Sequence, residues 1–166
     1  MGANPIEAAI RFCGRWALIM LMITLAVSPL RKLTGLNWLL RLRRMLGLFA
    51  FYYASLHLLL FIGVDQFFDW PAIAGEIVER PFITVGMASF LLLTALAATS
   101  NQAMIRRLGG KRWQQLHRFI YPAAAGGVLH YFWLVKKDVS QPYIYAAVLA
   151  LLLLLRLNWK TLFRRG

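Results

Sequence analysis

Five long apolar blocks, separated by short charged segments, are the feature that most restricts how this chain can fold. The blocks run from about Trp16 to Leu30 with a lead-in from Ile6, Met45 to Val64, Phe82 to Ser100, about Trp113 to Val135, and Pro142 to Leu155. A helix needs about 20 apolar residues to cross the hydrocarbon core of a bilayer, and these blocks provide roughly 15 to 23. Backbone polar groups in lipid must be paired within their own segment, and the alternation typical of barrel strands is missing. The blocks therefore predict an all-α membrane protein with five transmembrane helices in a bundle.

A soluble helical bundle does not fit this composition. Apolar residues make up 60% of the chain and charged residues 15%, against about 45–50% and about 25% in ordinary soluble domains. The second and third blocks also lack the polar stripe that the outer face of a soluble helix carries. The first block is not a cleavable signal peptide, because Glu7 precedes it and Pro29-Leu30-Arg31-Lys32 follows it in place of small residues. No internal repeat or linker is visible, so residues 1–166 are expected to form a single domain.

The charges divide the segments between the blocks into two groups, within a net charge of +13. Basic residues fill three acid-free segments, namely Arg31, Lys32, Arg41, Arg43 and Arg44, then Arg106, Arg107, Lys111 and Arg112, and finally Arg156, Lys160, Arg164 and Arg165. The acids fall on the other side of the predicted bundle: Glu7, Asp65, Asp69, Glu76, Glu79 and Asp138. By the positive-inside rule the N-terminus lies outside and the C-terminus inside. The basic charge thus reflects the lipid bilayer, and nucleic acid is not expected as a partner.

The single cysteine, Cys13, excludes several kinds of site. One cysteine cannot form an internal disulfide, an all-cysteine zinc or iron–sulfur centre, or the CxxCH attachment of a covalent c-type haem. Its apolar surroundings favour a buried, packed side chain. The sequence also lacks a dinucleotide-binding or Walker fingerprint, so any soluble redox or nucleotide-binding partner is expected to be a separate protein.

All three histidines fall within predicted spanning helices: His57 in the second, His117 and His130 in the fourth. Ionisable side chains at membrane depth are functional candidates, although a histidine can also simply hydrogen-bond a neighbouring helix. At 1.5 Å per residue, His57 lies about 18 Å from the inner end of its block and His130 about 25 Å. Both therefore lie toward the outer leaflet. Two imidazoles facing each other there would suit the axial positions of a b-type haem.

His117 lies only about 6 Å from the inner end, about 20 Å below His130 along the same helix. On an ideal helix the two rings point about 140° apart, and no fourth histidine lies opposite His117. Pro122 lies between them and could kink the helix enough to redirect one ring. The residues leave open a second haem near the inner face, or one haem with His117 as a supporting or alternative ligand.

Small and basic residues near the histidines have two interpretations each. Gly126 and Gly127 would let a flat ring lie close to the helix, or would serve close helix packing. Arg43, Arg44 and Arg118 could hold haem propionates or a flavin phosphate, or lipid headgroups. The tryptophans are assigned to the interfacial aromatic belt and given no chemistry: Trp16, Trp38, Trp70, Trp113, Trp133 and Trp159.

Long ordered blocks of this sequence resemble the MsrQ (YedZ) family, the haem-binding membrane subunits of the bacterial periplasmic methionine sulfoxide reductase system. The resemblance is nearly full length and is carried by the segments GANPIEAAIRFCGRWAL, RRMLGLFAFYYASLH, ERPFITVG, TSNQAMIRRLGGKRWQQLHRFIY and LHYFWLVK. This family is grouped with the wider ferric-reductase-like transmembrane haem proteins. Relatives commonly have a further spanning helix upstream of the GANPIE-like segment, so this chain is expected to be a five-helix variant or to have a trimmed start.

The resemblance implies an electron conduit in the bacterial inner membrane. A cytoplasmic flavin reductase would supply electrons, with FMN on the inner side. Haem b would carry them to a periplasmic molybdopterin-containing methionine sulfoxide reductase catalytic subunit, which repairs oxidised periplasmic proteins. The family's histidine ligands match His57, His117 and His130, and substrate chemistry is expected on the other subunit.

Two other functions remain as alternatives at this point. One is a stand-alone ferric or quinone reductase of the same wider superfamily. The other is a non-redox scaffold or transporter whose histidines only pack or relay protons. The absence of acidic residues from every apolar block argues against a transporter.

Overall fold

The computed structural model describes residues 4–135 and 139–156, which are almost entirely helical and contain no strand. Its elements are α1 (Pro5–Thr34), α2 (Leu39–Leu59, continued by a π-helical segment, Leu60–Asp65), α3 (Trp70–Glu79), α4 (Pro81–Ala98), α5 (Gln102–Leu108), α6 (Gly110–Leu116, followed by a 3₁₀ turn, His117–Phe119), α7 (Ile120–Leu134) and α8 (Ser140–Leu154). The all-helical class predicted from the apolar blocks is confirmed. Several predicted sites lie outside the described residues: Asp138, Trp159, Lys160, Arg164 and Arg165.

Within residues 4–135 and 139–156, three helices are long and apolar enough to cross a membrane: α1, α2 with its π-helical continuation, and α4. The helix α8 has 15 residues, which is shorter than the length needed to cross unaided. The helix α7 also has 15 residues, but it continues directly from α6 and the 3₁₀ turn. The structure therefore supports a membrane protein with these three spans. Five spans and the inside–outside orientation stay predictions.

The first hairpin pairs α1 with α2, and local signals fix where α1 begins and ends. The Asn4 side chain accepts a hydrogen bond from the Ile6 N–H, and Pro5 occupies the first turn, where its missing N–H costs nothing. The helix ends at Gly35, whose φ of 74° is in the left-handed region, with its N–H bonded to the Arg31 carbonyl. The second helix begins at Leu39, six residues before the predicted block.

The second hairpin pairs α4 with α7, and the helix that ends in α7 differs in detail from the predicted fourth block. The fourth block was expected to be one helix from Trp113, but helix begins at Gly110 and tightens into a 3₁₀ turn at His117–Phe119. Pro122 explains the position of this turn, because proline has no N–H for the Arg118 carbonyl four residues earlier and its ring crowds that carbonyl.

The two hairpins and α8 share a core of aliphatic side chains. Buried members come from every one of these helices: Leu18, Leu21, Leu25, Ala50, Leu93, Ala123, Ala124, Val128, Leu149 and Leu152. The arrangement gives the bundle two chemically different ends. The basic end carries Arg31, Arg43, Arg44 and Arg156, and the acidic end carries Glu7, Asp65, Asp69, Glu76 and Glu79. His57 and His130 lie toward the acidic end, and His117 lies toward the basic end.

Candidate functional site

The structure brings His57 and His130 together across the interface between the two hairpins. The two imidazole rings have centroids 6.1 Å apart and planes at 83° to each other. One ring comes from α2 and the other from α7, and both are partly buried. The site therefore consists of two imidazoles from different helices, the two residues that the sequence analysis expected to face each other.

Each of these rings is held by a main-chain carbonyl of the neighbouring helix. The Nδ1 atom of His57 lies 2.9 Å from the Ile10 oxygen, and that of His130 lies 2.7 Å from the Phe82 oxygen. A carbonyl oxygen can only accept, so Nδ1 is the donor in both rings. In a neutral imidazole this leaves Nε2 with its lone pair. Histidines that bind metals are held in this way. One ring nitrogen, here Nδ1, donates its N–H to an acceptor, and the other, here Nε2, is free to coordinate the metal.

A glycine on the neighbouring helix leaves the space through which each histidine ring reaches its carbonyl. A methyl group added at Gly14 would lie 3.0 Å from the His57 Nδ1 atom, and one at Gly86 would lie 2.7 Å from the His130 Nδ1 atom. Both glycines lie one helical turn after the carbonyl residue. Any side chain at these positions would push the imidazole away from its acceptor.

The two hairpins thus share one arrangement. The first helix of each supplies a carbonyl acceptor and a glycine, and the second helix supplies the histidine that donates to that carbonyl. The carbonyl residue precedes its histidine by 47 positions in one hairpin and by 48 in the other. Sequence reasoning missed Gly14 and Gly86. The nearly equal spacing of the two glycines from the two histidines was the available signal.

Gly126 and Gly127, which the sequence left between two interpretations, are packing positions. A methyl group at Gly126 would lie 2.2 Å from the Ser89 Oγ atom, and one at Gly127 would lie 3.1 Å from a Leu18 methyl carbon. The missing side chains let α7 approach α4 and α1. Close helix packing accounts for both glycines.

His117 lies apart from this pair and has its own surroundings. Its Nε2 atom is 3.2 Å from the Thr99 hydroxyl, and its ring stacks on Trp113 with centroids 3.9 Å apart and planes at 26°. The Trp113 indole N–H donates to the Thr99 carbonyl at 2.8 Å. Trp113 was predicted only as part of the aromatic belt, so this contact was missed. Within residues 4–135 and 139–156, no second histidine faces His117.

The predicted basic residues are placed unequally around His117. Arg43 and Arg44 are close enough for their charges to act on the His117 imidazole. Arg43 is partly buried, whereas Arg44 and Arg118 are exposed. Of the three, Arg43 and Arg44 act electrostatically on His117, and Arg118 is an exposed residue next to it in sequence.

The histidine pair fits a metal held by a macrocycle better than a metal held by protein alone. The described residues contain no group of three or more His, Cys, Asp or Glu side chains that could hold an ion. Haem needs only axial ligands from the protein, because the porphyrin supplies the rest. Two metal–imidazole bonds of about 2.0–2.1 Å, together with the half-widths of two rings, separate the ring centroids by about 6 Å. The observed centroid separation is 6.1 Å.

Comparison with known proteins gives a family and a set of curated relatives. The family described as "Ferric reductase like transmembrane component" matches residues 13–128. A protein from Rhodospirillum rubrum is 60% identical over 95% of this chain and 76% of its own length, and one from Herminiimonas arsenicoxydans is 54% identical over 96% and 74%. One from Azospira oryzae is 61% identical over 92% of this chain and 66% of its own length. All three are named "Protein-methionine-sulfoxide reductase heme-binding subunit MsrQ". No solved structure matches the chain significantly.

Proposed function

We propose that this chain, which belongs to the MsrQ family of ferric-reductase-like transmembrane components, binds haem b between His57 and His130 and passes electrons through it. The observation that carries the proposal is the ring pair, with centroids 6.1 Å apart and each Nδ1 atom held by a main-chain carbonyl. Such anchoring fixes the tautomer and the ring orientation and raises the basicity of the coordinating nitrogen. Relatives named as heme-binding subunits support haem as the occupant.

The proposed ligand set determines what kind of chemistry the chain performs. Haem supplies reversible one-electron chemistry when it is bound. His57 and His130 would both hold the haem, which would leave no coordination position for oxygen or for a substrate. The chain is therefore an electron-transfer subunit, and substrate chemistry belongs to another polypeptide.

The proposed partners are supported by the family and by the two ends of the bundle. Electrons enter at the basic end from a cytoplasmic flavin reductase, with FMN on that side. They leave at the acidic end, near His57 and His130, for a periplasmic molybdopterin-containing catalytic subunit that reduces methionine sulfoxide. The proposal includes a location in the bacterial inner membrane, with five spans and the N-terminus outside. The names of the relatives and the charge asymmetry of the chain support this path.

His117 is proposed to serve a cofactor at the basic end. Its stacking on Trp113 and its contact with Thr99 hold the ring beside Arg43 and Arg44. Guanidinium groups there suit the acidic groups of a cofactor, either haem propionates or a flavin phosphate. Arg118 belongs to the same proposed set and is exposed, as Arg44 is. The described residues have no second histidine at this end, so a second haem there would need a ligand of another kind beside His117.

We expect His117→Ala to leave the haem of the His57–His130 pair in place. The two ends of the bundle are separated by most of the length of α7, and His117 contacts neither ring of the pair. The low-spin Soret and α-band absorption assigned to the pair is expected to keep its position in the purified variant. If His117→Ala removes all haem from the protein, the assignment of the pair as an independent site is wrong.

The proposed function is tested with purified protein and its redox partner. The full chain is produced in cells supplied with haem, reduced, and mixed anaerobically with the purified periplasmic catalytic subunit and a methionine sulfoxide peptide. Reoxidation of the haem band that depends on both additions is the expected result. A protein that has no Soret band under these conditions would be a scaffold. A haem that is reoxidised by ferric citrate or quinone, but never by the catalytic subunit, would identify a stand-alone reductase.

A further inference from the structure

One charged side chain of α1, Arg15, lies beside the histidine pair. Arg15 directly follows Gly14, where an added methyl group would lie 3.0 Å from the His57 Nδ1 atom. Arg11, one turn earlier, is paired with Glu7, whereas Arg15 makes no ion pair or hydrogen bond in the described part of the chain. A charge within a spanning helix is costly unless it is paired. Arg15 therefore needs an anionic group that the described residues do not supply.

The packing of α1 against α7 places Arg15 level with the second histidine as well. Leu18 of α1 meets Gly127 of α7, where an added methyl group would lie 3.1 Å from a Leu18 methyl carbon. The helix α1 begins at the acidic end of the bundle and α7 ends there, so the two helices are antiparallel. Arg15, three residues before Leu18, therefore lies level with the residues about one turn after Gly127, which are His130 and Tyr131.

Two tyrosines complete the surroundings of Arg15. Tyr131 directly follows His130, and its ring contacts that of Tyr145 on α8, with centroids 5.9 Å apart and planes at 71°. Arg15 is close enough for its charge to act on the Tyr145 phenol. Both tyrosines are partly buried against the core, and neither hydroxyl makes a hydrogen bond within residues 4–135 and 139–156. The guanidinium and the two phenols thus offer several hydrogen-bond donors to one anion.

The helices around the histidine pair determine from which side a cation can reach a group bound there. The helices α2 and α7, which carry the two histidines, each pack against both α1 and α4. A flat group between the two rings therefore has one edge toward α1 and the opposite edge toward α4. The helix α4 contains no charged residue, whereas α1 has Arg15 at this level. A carboxylate on the edge of such a group meets a cation on the α1 side.

We propose that Arg15 binds a propionate of the haem held by His57 and His130, with the Tyr145 hydroxyl as a second donor, an inference that rests on the haem site proposed above. Guanidinium and carboxylate groups form charge-assisted hydrogen bonds, which are about twice as strong as neutral ones. This contact fixes the rotation of the macrocycle about the line through its two ligands, which the imidazoles alone leave free. It also neutralises a negative charge that would otherwise favour the oxidised iron.

The test compares haem with its dimethyl ester, in which both propionates are neutral. Each is titrated into the full-length apoprotein in detergent, and binding is followed by the low-spin absorption assigned to His57 and His130. We expect the wild type to bind haem at least about ten-fold more tightly than the ester, the effect of losing a hydrogen bond to a charged group. Arg15→Gln is expected to bind the ester as the wild type does and to lose most of the preference for haem.

Arg11→Gln is the matched control, because it makes the same charge change at an exposed position one turn away on the same helix. It is expected to keep the wild-type preference for haem over the ester. The midpoint potential supplies a second measurement, which a purely structural role of Arg15 would not change. Redox titration is expected to give a lower potential for Arg15→Gln than for the wild type, and an unchanged potential for Arg11→Gln.

The outcomes separate this inference from the haem site on which it rests. A wild type that binds no haem overturns both. A wild-type preference retained by Arg15→Gln overturns the role of Arg15 alone, and it is the result expected of an arginine that only contacts lipid headgroups. Equal affinities of the wild type for haem and the ester overturn that role as well. Should circular dichroism show that Arg15→Gln is unfolded, Tyr145→Phe takes its place, and an unchanged preference in that variant overturns the proposal.

Discussion

His130→Ala is expected to abolish the low-spin haem signal, and His57→Ala is expected to do the same. Each variant removes one of the two axial ligands proposed for a single haem. Loss of a residue that merely orients a metal-binding histidine lowers metal affinity about 10–100-fold, so loss of the histidine itself is expected to cost more than about 100-fold. Haem per chain, measured by pyridine haemochrome after purification, is expected to fall to background for this site.

A methionine at the same position separates loss of a ligand from loss of folding. A thioether also binds haem iron, and methionine–histidine ligation raises the reduction potential. His130→Met is therefore expected to retain a six-coordinate haem with a higher midpoint potential than the wild type. Wild-type spectra and haem content in both alanine variants would show that the His57–His130 pair is not the haem site.

The closeness of His57 and His130 could be anticipated because the rise of an α-helix is fixed. Counting from the inner ends of the apolar blocks placed the two residues at similar depths, which differed by about 7 Å. The structure removes much of this difference, since both helices begin before their blocks. His57 lies 18 residues after the first residue of α2, and His130 lies 20 residues after the first residue of α6. Charged residues such as Arg41 extend the helix without belonging to the apolar block, and hydropathy alone cannot include them.

The support around the histidines could not be predicted in the same way. Whether Gly14 faces His57, and Gly86 faces His130, depends on which helices are neighbours, and a single sequence does not contain that information. The same holds for the stacking of Trp113 on His117. The sequence could predict that Pro122 distorts its helix, because proline disturbs the turn that precedes it. The result, a 3₁₀ turn that includes His117, required the structure.

The sequence left Gly126 and Gly127 between a role beside a flat ring and a role in packing, and the glycines that contact the histidine rings lie on α1 and α4. Gly126 and Gly127 lie within one turn of His130, which made them the natural candidates in sequence. Their space is taken by Ser89 and Leu18 instead. Proximity along a helix was a poor guide, because the group that orients an imidazole comes from the helix packed against it.

Gly86→Ala is expected to weaken haem binding about 10–100-fold, the range found when the support of a metal-binding histidine is removed. The added methyl group would lie 2.7 Å from the His130 Nδ1 atom. The ring must then move away from the Phe82 carbonyl and lose its hydrogen bond. Gly14→Ala places the methyl group 3.0 Å from the His57 Nδ1 atom, so the same effect is expected to be smaller. Haem titration of the purified apoproteins measures both.

Backbone strain does not contribute to this prediction, because Gly14 and Gly86 lie within α1 and α4 and have helical conformations. Gly47→Ala on α2 is the matched control, since its methyl group would meet only a Thr24 carbon at 3.8 Å, an ordinary contact. Replacing glycine by alanine inside a helix stabilises it by about 0.5–1 kcal/mol. Gly47→Ala is thus expected to melt slightly higher and to bind haem as the wild type does.

The reduction potential distinguishes orientation of the ligand from simple loss of packing. A carbonyl that accepts from Nδ1 makes the imidazole a stronger donor to the metal, which favours the oxidised state. Any haem retained by Gly86→Ala is therefore expected to have a higher midpoint potential than the wild-type haem. Gly126→Ala, whose methyl group would meet Ser89, disturbs the same two helices without contacting a ligand, and it is expected to lower stability without this shift. Equal potentials in wild type and Gly86→Ala would mean that the Phe82 carbonyl does not tune the site.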